Sequence, residues 1–290
     1  MSDPLASIVV PTLNGAATLP ALLDAVRRQR APFRHEVIAV DSGSTDGTAA
    51  LLRDRVDRLI EIAPGEFNHG VTRNIGIEQA RGDLVVLLVQ DAVPASEDWL
   101  ATLTAPLLAD ARVAGTFGRQ LPRADASALT RYFHTRWFAA SDVARTTAIE
   151  SQAAFDAMTP AQRFDRCIFD NVCSCIRRTV WTMHPFRRTT IAEDLEWAKE
   201  VLLSGYRIEY VPAAAVVHSH ERSAAYEFAR TRLLHERLRA LFGLRTIPTL
   251  PLCLRAMTSS LLLHLRCERS VRAMQLAVAW PLGQYLGGRR

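Results

Sequence analysis

Four short stretches of this chain combine residue types and spacings that could do chemistry. The first is Val40-Asp41-Ser42-Gly43-Ser44-Thr45-Asp46-Gly47-Thr48. An apolar run ends in an acid, passes through small turn residues and enters a helical pattern. In open α/β sheets ligands bind beyond the carboxyl ends of strands, so Asp41 there could hold a ribose hydroxyl or a base N–H. Asp46, in the same loop, reads better as a helix cap. A nicotinamide enzyme also places an acid after its second strand, but needs G-x-G-x-x-G after the first. Here that turn is Pro11-Thr12-Leu13-Asn14-Gly15, which argues against such a cofactor.

Gln90-Asp91-Ala92 follows the most hydrophobic strand of the chain. A hard cation such as Mg²⁺ takes one or two protein carboxylates and completes its shell with phosphates and water. Asp91, at the same sheet edge as Asp41, suits that role. Glu193-Asp194 opens a helical stretch. Acids there offset the helix dipole; beside a diphosphate, one of them could be a general base toward an acceptor hydroxyl. In His218-Ser219-His220 a neutral imidazole could complete a metal shell. The two rings are expected on opposite sides of an extended segment, so that at most one enters the site.

These residues need a scaffold that brings strand ends together. Ser7–Pro11, Glu36–Val40, Arg58–Ile62, Leu84–Val89 and a run near Val113–Gly118 read as strands. Between them, Leu19–Arg28 (capped by Thr18), a stretch from Ser44 to Arg53, Thr72–Ala80 and Asp98–Leu108 read as helices. Apolar strands alternating with helices predict a parallel sheet covered on both faces. Asp125–Gln162 shows no strand signal. Ile191–Ser204 and Arg222–Phe242 read as helices around an extended Arg207–Val217, and Thr246–Arg290 is a tail of apolar patches broken by arginines.

Composition agrees with a globular α/β protein. The chain has 290 residues, 49% hydrophobic and 22% charged, with net charge +5. The excess is arginine, concentrated from Arg222 to Arg290, and suits an anionic partner or an ordinary solvated surface. No RNA or DNA module accompanies it, so a nucleic acid is not expected. No signal peptide is read before the first strand, which points to the cytoplasm and to free thiols for the five cysteines. Cys167, Cys173 and Cys175 cluster without a zinc-finger spacing and read as buried small side chains. No stretch is apolar enough to span a bilayer. Leu261–Leu263, Leu265 and Trp280, interspersed with arginines, leave open an amphipathic contact with a membrane surface.

Together these stretches resemble family 2 glycosyltransferases of the GT-A fold, from about Ser7 to His220. Ser-Ile-Val-Val-Pro-Thr-Leu-Asn is similar to the family's opening strand, and Val-Asp-Ser-Gly-Ser-Thr-Asp-Gly-Thr to its nucleotide loop. Ala-Arg-Gly-Asp before the fourth strand, Glu193-Asp194 and Gly205-Tyr206-Arg207-Ile208 add to the match. A narrower resemblance is to bacterial rhamnosyltransferases. It rests on Phe67-Asn68-His69-Gly70-Val71-Thr72-Arg73-Asn74, Gln90-Asp91-Ala92, the stretch from Phe169 to Arg178, and His218-Ser219-His220. Gln90 departs from the wider family, where many members carry the first Asp of D-x-D.

The resemblance implies a catalytic domain over 1–220 (nucleotide-binding half about 1–120, acceptor half about 121–220) and a helical segment over 221–290. It implies an inverting transfer of a sugar, L-rhamnose from dTDP-L-rhamnose, to a hydroxyl of a glycan or lipid-linked acceptor in surface glycan synthesis. Asp194, with Glu193 beside it, would be the base. Asp91 and His218 would hold Mg²⁺ or Mn²⁺. Pro11, Thr12, Asn14, Asp41, Arg73, Asn74, Gln90 and Asn171 would contact the nucleotide sugar, with Ser174 also near the pocket. For Arg73 a plain surface helix position stays open, and for Trp197 a sugar platform or the core. The rivals are a transferase for UDP-glucose, UDP-galactose or UDP-N-acetylglucosamine, and a non-catalytic nucleotide-sugar-binding subunit.

Overall fold

A computed structural model describes residues 6–289. The reading of the N-terminus as leaderless falls on residues 1–5 and, with Arg290, lies outside them. The chain opens as β1 (Ala6–Thr12), α1 (Leu19–Arg27), β2 (His35–Asp41), α2 (Thr48–Arg53), β3 (Arg58–Glu61), α3 (His69–Glu78) and β4 (Leu84–Leu88). It continues through β5 (Val93–Pro94), α4 (Trp99–Ala109), β6 (Val113–Leu121), α5 (Ala128–His134), β7 (Arg145–Thr147), α6 (Gln152–Ala157) and α7 (Pro160–Arg166). It ends with β8 (Cys173–Arg177), α8 (Arg178–Met183), α9 (Glu193–Leu203), β9 (Arg207–Val217), α10 (Ala224–Phe242), α11 (Leu250–Cys267) and α12 (Val271–Gly287).

One nine-stranded sheet runs β3-β2-β1-β4-β8-β6-β9-β5, with β7 paired to β9. β1 to β4 are mutually parallel, and β6 is parallel to β9. β8 lies antiparallel between β4 and β6. Side chains of β1 alternate between two cores: Val9 joins the layer under α3, α9 and α10, while Ile8 and Val10 join the layer under α1 and α4. That alternation is why the strands read as continuous apolar runs: both faces are covered. β4 is buried at every position; truncating a side chain such as Leu87 to alanine would cost about 2–5 kcal/mol.

Two local readings need correction, and one strand had no sequence signal. Thr18 does not cap α1; its hydroxyl donates to the Gly15 carbonyl at 3.3 Å. The segment 125–162 contains β7, which pairs antiparallel with β9, Thr146 opposite Glu209. The motif at Cys173–Arg177 is itself a central strand, and Cys173 and Cys175 fill one of the cores. All five cysteines are free, and burial pushes the Cys173 thiol up to about 12.

The C-terminal arginine-rich stretch is three packed helices. Gly287 of α12 lies against α10 so closely that a Cβ would sit 2.3 Å from the Arg232 carbonyl oxygen. Trp280 turns inward, with its Nε1 donating to Glu227 at 3.3 Å and its ring edge-on to Phe133. Among the described residues no helix is long and apolar enough to cross a membrane.

Candidate active site

The sheet order has β1 between β2 and β4, so the loops after these three strands meet at one edge. The loop after β4, with Val89, Gln90 and Asp91, lines a cleft of about 760 Å³, closed on the far side by α5, α10 and α12.

Asp91, just beyond β4, faces both histidines. His218 Nε2 lies 3.7 Å from Asp91 Oδ1, and His220 Nε2 lies 3.5 Å from Asp91 Oδ2. One ligand atom from each of the three fits within 4.8 Å of the others, a group able to hold a metal ion. The expectation that only one histidine enters is overturned. Alternation in an extended chain reverses adjacent side chains and returns at every second residue. Regular strand also ends at Val217, and the two rings pack edge-on with centroids 4.6 Å apart. Burial, then the neighbouring His220 and arginines, hold the His218 imidazole down at about 3, so it is neutral and able to ligate.

Across the cleft, Ala192 takes a left-handed φ of 62° and swings the start of α9 toward Asn171. Such a conformation is strained for alanine. Glu193 is buried and paired with Arg73 at 2.9 Å; Asn171 Nδ2 donates to the same oxygen at 3.3 Å. Among the described residues no cation pairs with Asp194 in this way. It accepts from the Leu195 amide at 2.8 Å and from the Asn171 amide at 3.4 Å. Desolvation, then the charges of Glu193 and Asp170, raise its carboxyl well above the usual range. A carboxylate in that setting is a stronger base than a solvated one.

The loops after β1 and β2 are stitched together. The Asp41 carboxylate accepts from Thr12 Oγ1 at 3.0 Å, Ser44 Oγ at 2.6 Å and the Ser44 amide at 2.9 Å. It is 1% exposed, so as placed it organises the loop instead of facing the cleft. Asn14, at a φ of 49°, donates from its amide to Ser44 Oγ and accepts from the Thr45 amide at 2.9 Å. Asp46 is not the helix cap, a place Gly47 takes without a side-chain cap bond; it accepts from Thr48 Oγ1 at 2.6 Å and from the Ala16 amide at 3.0 Å. Pro11 is partly exposed at the end of β1.

Three residues expected at the sugar also clamp the protein, and two of them, Arg73 and Gln90, line the cleft. Gln90 Nε2 donates to the Leu13 carbonyl at 3.0 Å and its Oε1 accepts from the Leu13 amide at 2.9 Å. Gly15 is needed beside it, since a Cβ there would lie 2.6 Å from Gln90 Oε1. Asn74 spends both ends of its amide on the segment after β8: Nδ2 donates to the Phe186 carbonyl, and Oδ1 accepts from Trp181 Nε1 at 2.8 Å. Arg73 is not a surface residue; it is 4% exposed, lines the cleft and is fixed to Glu193 and the His69 carbonyl. Asn171 does reach the cleft wall, and its Oδ1 accepts from Ser174 Oγ at 2.9 Å. Trp197 is core, 1% exposed, with its ring against Phe169.

Sequence reasoning passed over Gln120, Asp170 and Trp137, all on the cleft wall. Gln120 lies near the end of β6, and a polar side chain at the end of an apolar strand was the available signal. Asp170 sits inside a quoted motif but had no role assigned. Trp137 lies in the stretch without periodicity and gave no signal.

Residues 7–156 match the model for glycosyl transferase family 2, and the chain belongs to that family. It is 31% identical over 228 residues to the O-antigen chain rhamnosyltransferase RfbN of Salmonella typhimurium, covering 77% of this chain and 69% of that protein. It is 33% identical over 231 residues to the O-antigen chain rhamnosyltransferase WbaN of Salmonella anatum, covering 78% and 70%. Among solved structures it shares the fold of the mannosyltransferase PcManGT from Pyrobaculum calidifontis in complex with GDP-Man and Mn²⁺. The TM-score is 0.55 at 20% identity, over 98% of this chain and 73% of that one. Glucosyl-3-phosphoglycerate synthase from Mycobacterium tuberculosis, in complex with Mn²⁺, UDP and glucosyl-3-phosphoglycerate, gives 0.58 at 19% identity, over 83% and 81%. The fold is therefore GT-A and the protein a family 2 glycosyltransferase.

Proposed function

We propose that this enzyme transfers L-rhamnose from dTDP-L-rhamnose to a hydroxyl of a glycan or lipid-linked acceptor, with inversion, in the synthesis of a bacterial surface glycan. One observation carries the chemistry: a cation-binding group, Asp91, His218 and His220, shares a cleft with a basic carboxylate, Asp194. The donor sugar and the product class rest on the likeness to the two Salmonella rhamnosyltransferases.

In this reading Asp194 accepts the acceptor's hydroxyl proton as that oxygen attacks the anomeric carbon. Glu193 is taken up by its buried ion pair with Arg73 at 2.9 Å, which leaves Asp194 as the carboxylate free to act. Instead its charge keeps Asp194 basic. Asn171 orients Asp194 through its backbone amide. The loops holding Pro11, Thr12, Asn14 and Asp41 form the seat for the nucleoside, with Gln90 bracing them at Leu13. The three proposed metal ligands fit a divalent cation, and two imidazoles with one carboxylate favour Mn²⁺ over the harder Mg²⁺. Such a cation would neutralise the departing diphosphate.

A donor screen tests the assignment. Purified full-length protein with Mn²⁺ should release nucleoside diphosphate fastest from dTDP-L-rhamnose. Preferred turnover of UDP-glucose, UDP-galactose or UDP-N-acetylglucosamine would reject the donor, and full activity after EDTA would reject the cation.

Peripheral membrane contact belongs to the same proposal, through a different set of side chains from that expected. Leu262 is 58% exposed, whereas Leu261, Leu263 and Leu265 are partly buried and Trp280 faces inward. Leu250, Leu252 and Leu254 at the start of α11 are 50%, 46% and 56% exposed. α11 carries Arg255 and Arg266 and no acid. Arginines beside exposed leucines suit anionic lipid. Co-sedimentation with anionic but not neutral liposomes at low salt is expected; no co-sedimentation with either would reject the contact.

A further inference from the structure

We propose that Gln120 is a positioning residue that fixes the His218 imidazole in the tautomer a divalent cation requires, and that Asp170 orients Gln120 for this task. The inference rests on the reading of Asp91, His218 and His220 as a cation site.

The geometry is a line of three side chains. Gln120 is 6% exposed, at the last turn of register between β6 and β9. Its Oε1 lies 2.8 Å from His218 Nδ1, and its Nε2 donates to Asp170 Oδ2 at 2.6 Å. Asp170 is itself anchored, because its other oxygen accepts from the Val172 amide at 2.9 Å. The main chains are tied as well: the His218 amide donates to the Leu121 carbonyl at 2.9 Å.

Donor and acceptor chemistry then orders the line. Both Asp170 oxygens accept, one from the Val172 amide and one from Gln120 Nε2, so Asp170 takes the NH₂ end of the Gln120 amide. That leaves the amide oxygen toward His218, and an amide oxygen also only accepts. His218 must therefore carry its proton on Nδ1. Nε2 keeps its lone pair, and Nε2 is the atom turned toward Asp91 at 3.7 Å. A hydrogen bond on one ring nitrogen generally decides which nitrogen is left for a metal, and loss of that partner typically costs 10–100-fold in affinity. His220 has no equivalent: beyond Asp91 and ring contact with His218, no side-chain partner holds it among the described residues.

The residue type matters as much as the position. A leucine at 120 would fill similar space and accept nothing. A glutamate alone would accept from His218 but set a second carboxylate against Asp170. Gln120→Glu combined with Asp170→Asn restores the line, since the new carboxylate accepts from His218 on one side and from the new amide on the other.

The test measures Mn²⁺ affinity by electron paramagnetic resonance, with dTDP present, on the full chain. Gln120→Leu should weaken binding about 10–100-fold, and Gln120→Glu/Asp170→Asn should recover to within a few-fold of the parent. Nitrogen-15 spectra of the metal-free parent, with His218 assigned by its loss in His218→Ala, should show Nδ1 protonated and Nε2 bare. Parent-like Mn²⁺ affinity in Gln120→Leu, failure of the double variant to rescue, or an Nε2-protonated His218 in the parent would each overturn the proposal. If parent and His218→Ala bind Mn²⁺ equally, the cation site is what fails, and the His218 tautomer still judges Gln120 separately. Should Gln120→Leu not fold, the double variant and the parent spectra decide.

Discussion

The loops after β1 and β2, proposed to seat the nucleoside, and the proposed catalytic cleft occupy the same sheet edge, yet they satisfy their polar groups in opposite ways. Around Asp41 each carboxylate oxygen has a donor from Thr12 or Ser44, and Asn14 and Asp46 close the remaining loop amides. Around Asp194 three carboxylates converge, and one arginine, Arg73, pairs with Glu193. Asp170 and Asp194 both have carboxyls raised by burial. The loop's carboxylates are satisfied before any ligand arrives, with Ser42 Oγ its one buried side-chain atom left without a partner among the described residues, whereas the cleft holds charge that a ligand or cation would relieve. Sites that keep such frustration commonly trade stability for function.

That contrast is broken most sharply by conservative amides. Asp194→Asn removes the proposed base, so turnover should fall about 10²–10⁴-fold while donor binding persists. The same change relieves like-charge repulsion, so the variant should melt at or above the parent's temperature. Asp91→Asn should instead weaken donor binding in the presence of Mn²⁺, measured by calorimetry, along with turnover. Near-normal turnover in Asp194→Asn would move the base elsewhere, and parent-like donor binding in Asp91→Asn would remove the metal assignment.

A smaller effect is expected in the pH profile. Asp194 acts only when ionised, so kcat/KM should fall as pH drops through its raised pKa, above the usual carboxylate range. Glu193→Gln removes a charge that raises this pKa and frees Arg73 to lower it further, so the acidic limb should move to lower pH. The stability sign runs the other way. A folded pKa above the unfolded value favours folding below the unfolded pKa, and that benefit is lost as pH rises through the folded one. The melting advantage of Asp194→Asn should therefore grow with pH across that window. An acidic limb that stays in place in Glu193→Gln would disconnect the two carboxylates.

The contrast also explains what could be read without a structure. β1, β2 and β4 announce themselves because burial on both faces makes them unbroken apolar runs. β8 did not, since Cys173, Ser174 and Cys175 are small or polar, and antiparallel insertion between β4 and β6 is a long-range event with no local signature. Asp91 was legible from its position after a strand. That Arg73, Asn74 and Gln90 are clamps was not, because their partners Glu193, Phe186 and Leu13 are distant in sequence. Gln120 was missed for the same reason, as its two partners lie 98 and 50 residues away.

The mildest test sits on the finished side. Ser44 Oγ bridges the two loops, donating to Asp41 at 2.6 Å and accepting from the Asn14 amide at 2.8 Å. Ser44→Ala removes both bonds at once. The Asn14 amide is exposed and can turn to water, and Asp41 keeps Thr12 Oγ1 and the residue 44 amide. The loss should therefore be about 1 kcal/mol, within the ordinary range for a hydrogen bond, or roughly 2–4 °C in melting temperature. Catalytic groups across the cleft are untouched, so kcat should hold while KM for the donor rises a few-fold as the nucleoside seat loosens. The pairing of a lower melting temperature with an intact kcat is the inverse of Asp194→Asn. A Ser44→Ala variant that lost kcat without losing stability would show that the loop, too, takes part in the chemical step, and the division between the two regions would fail.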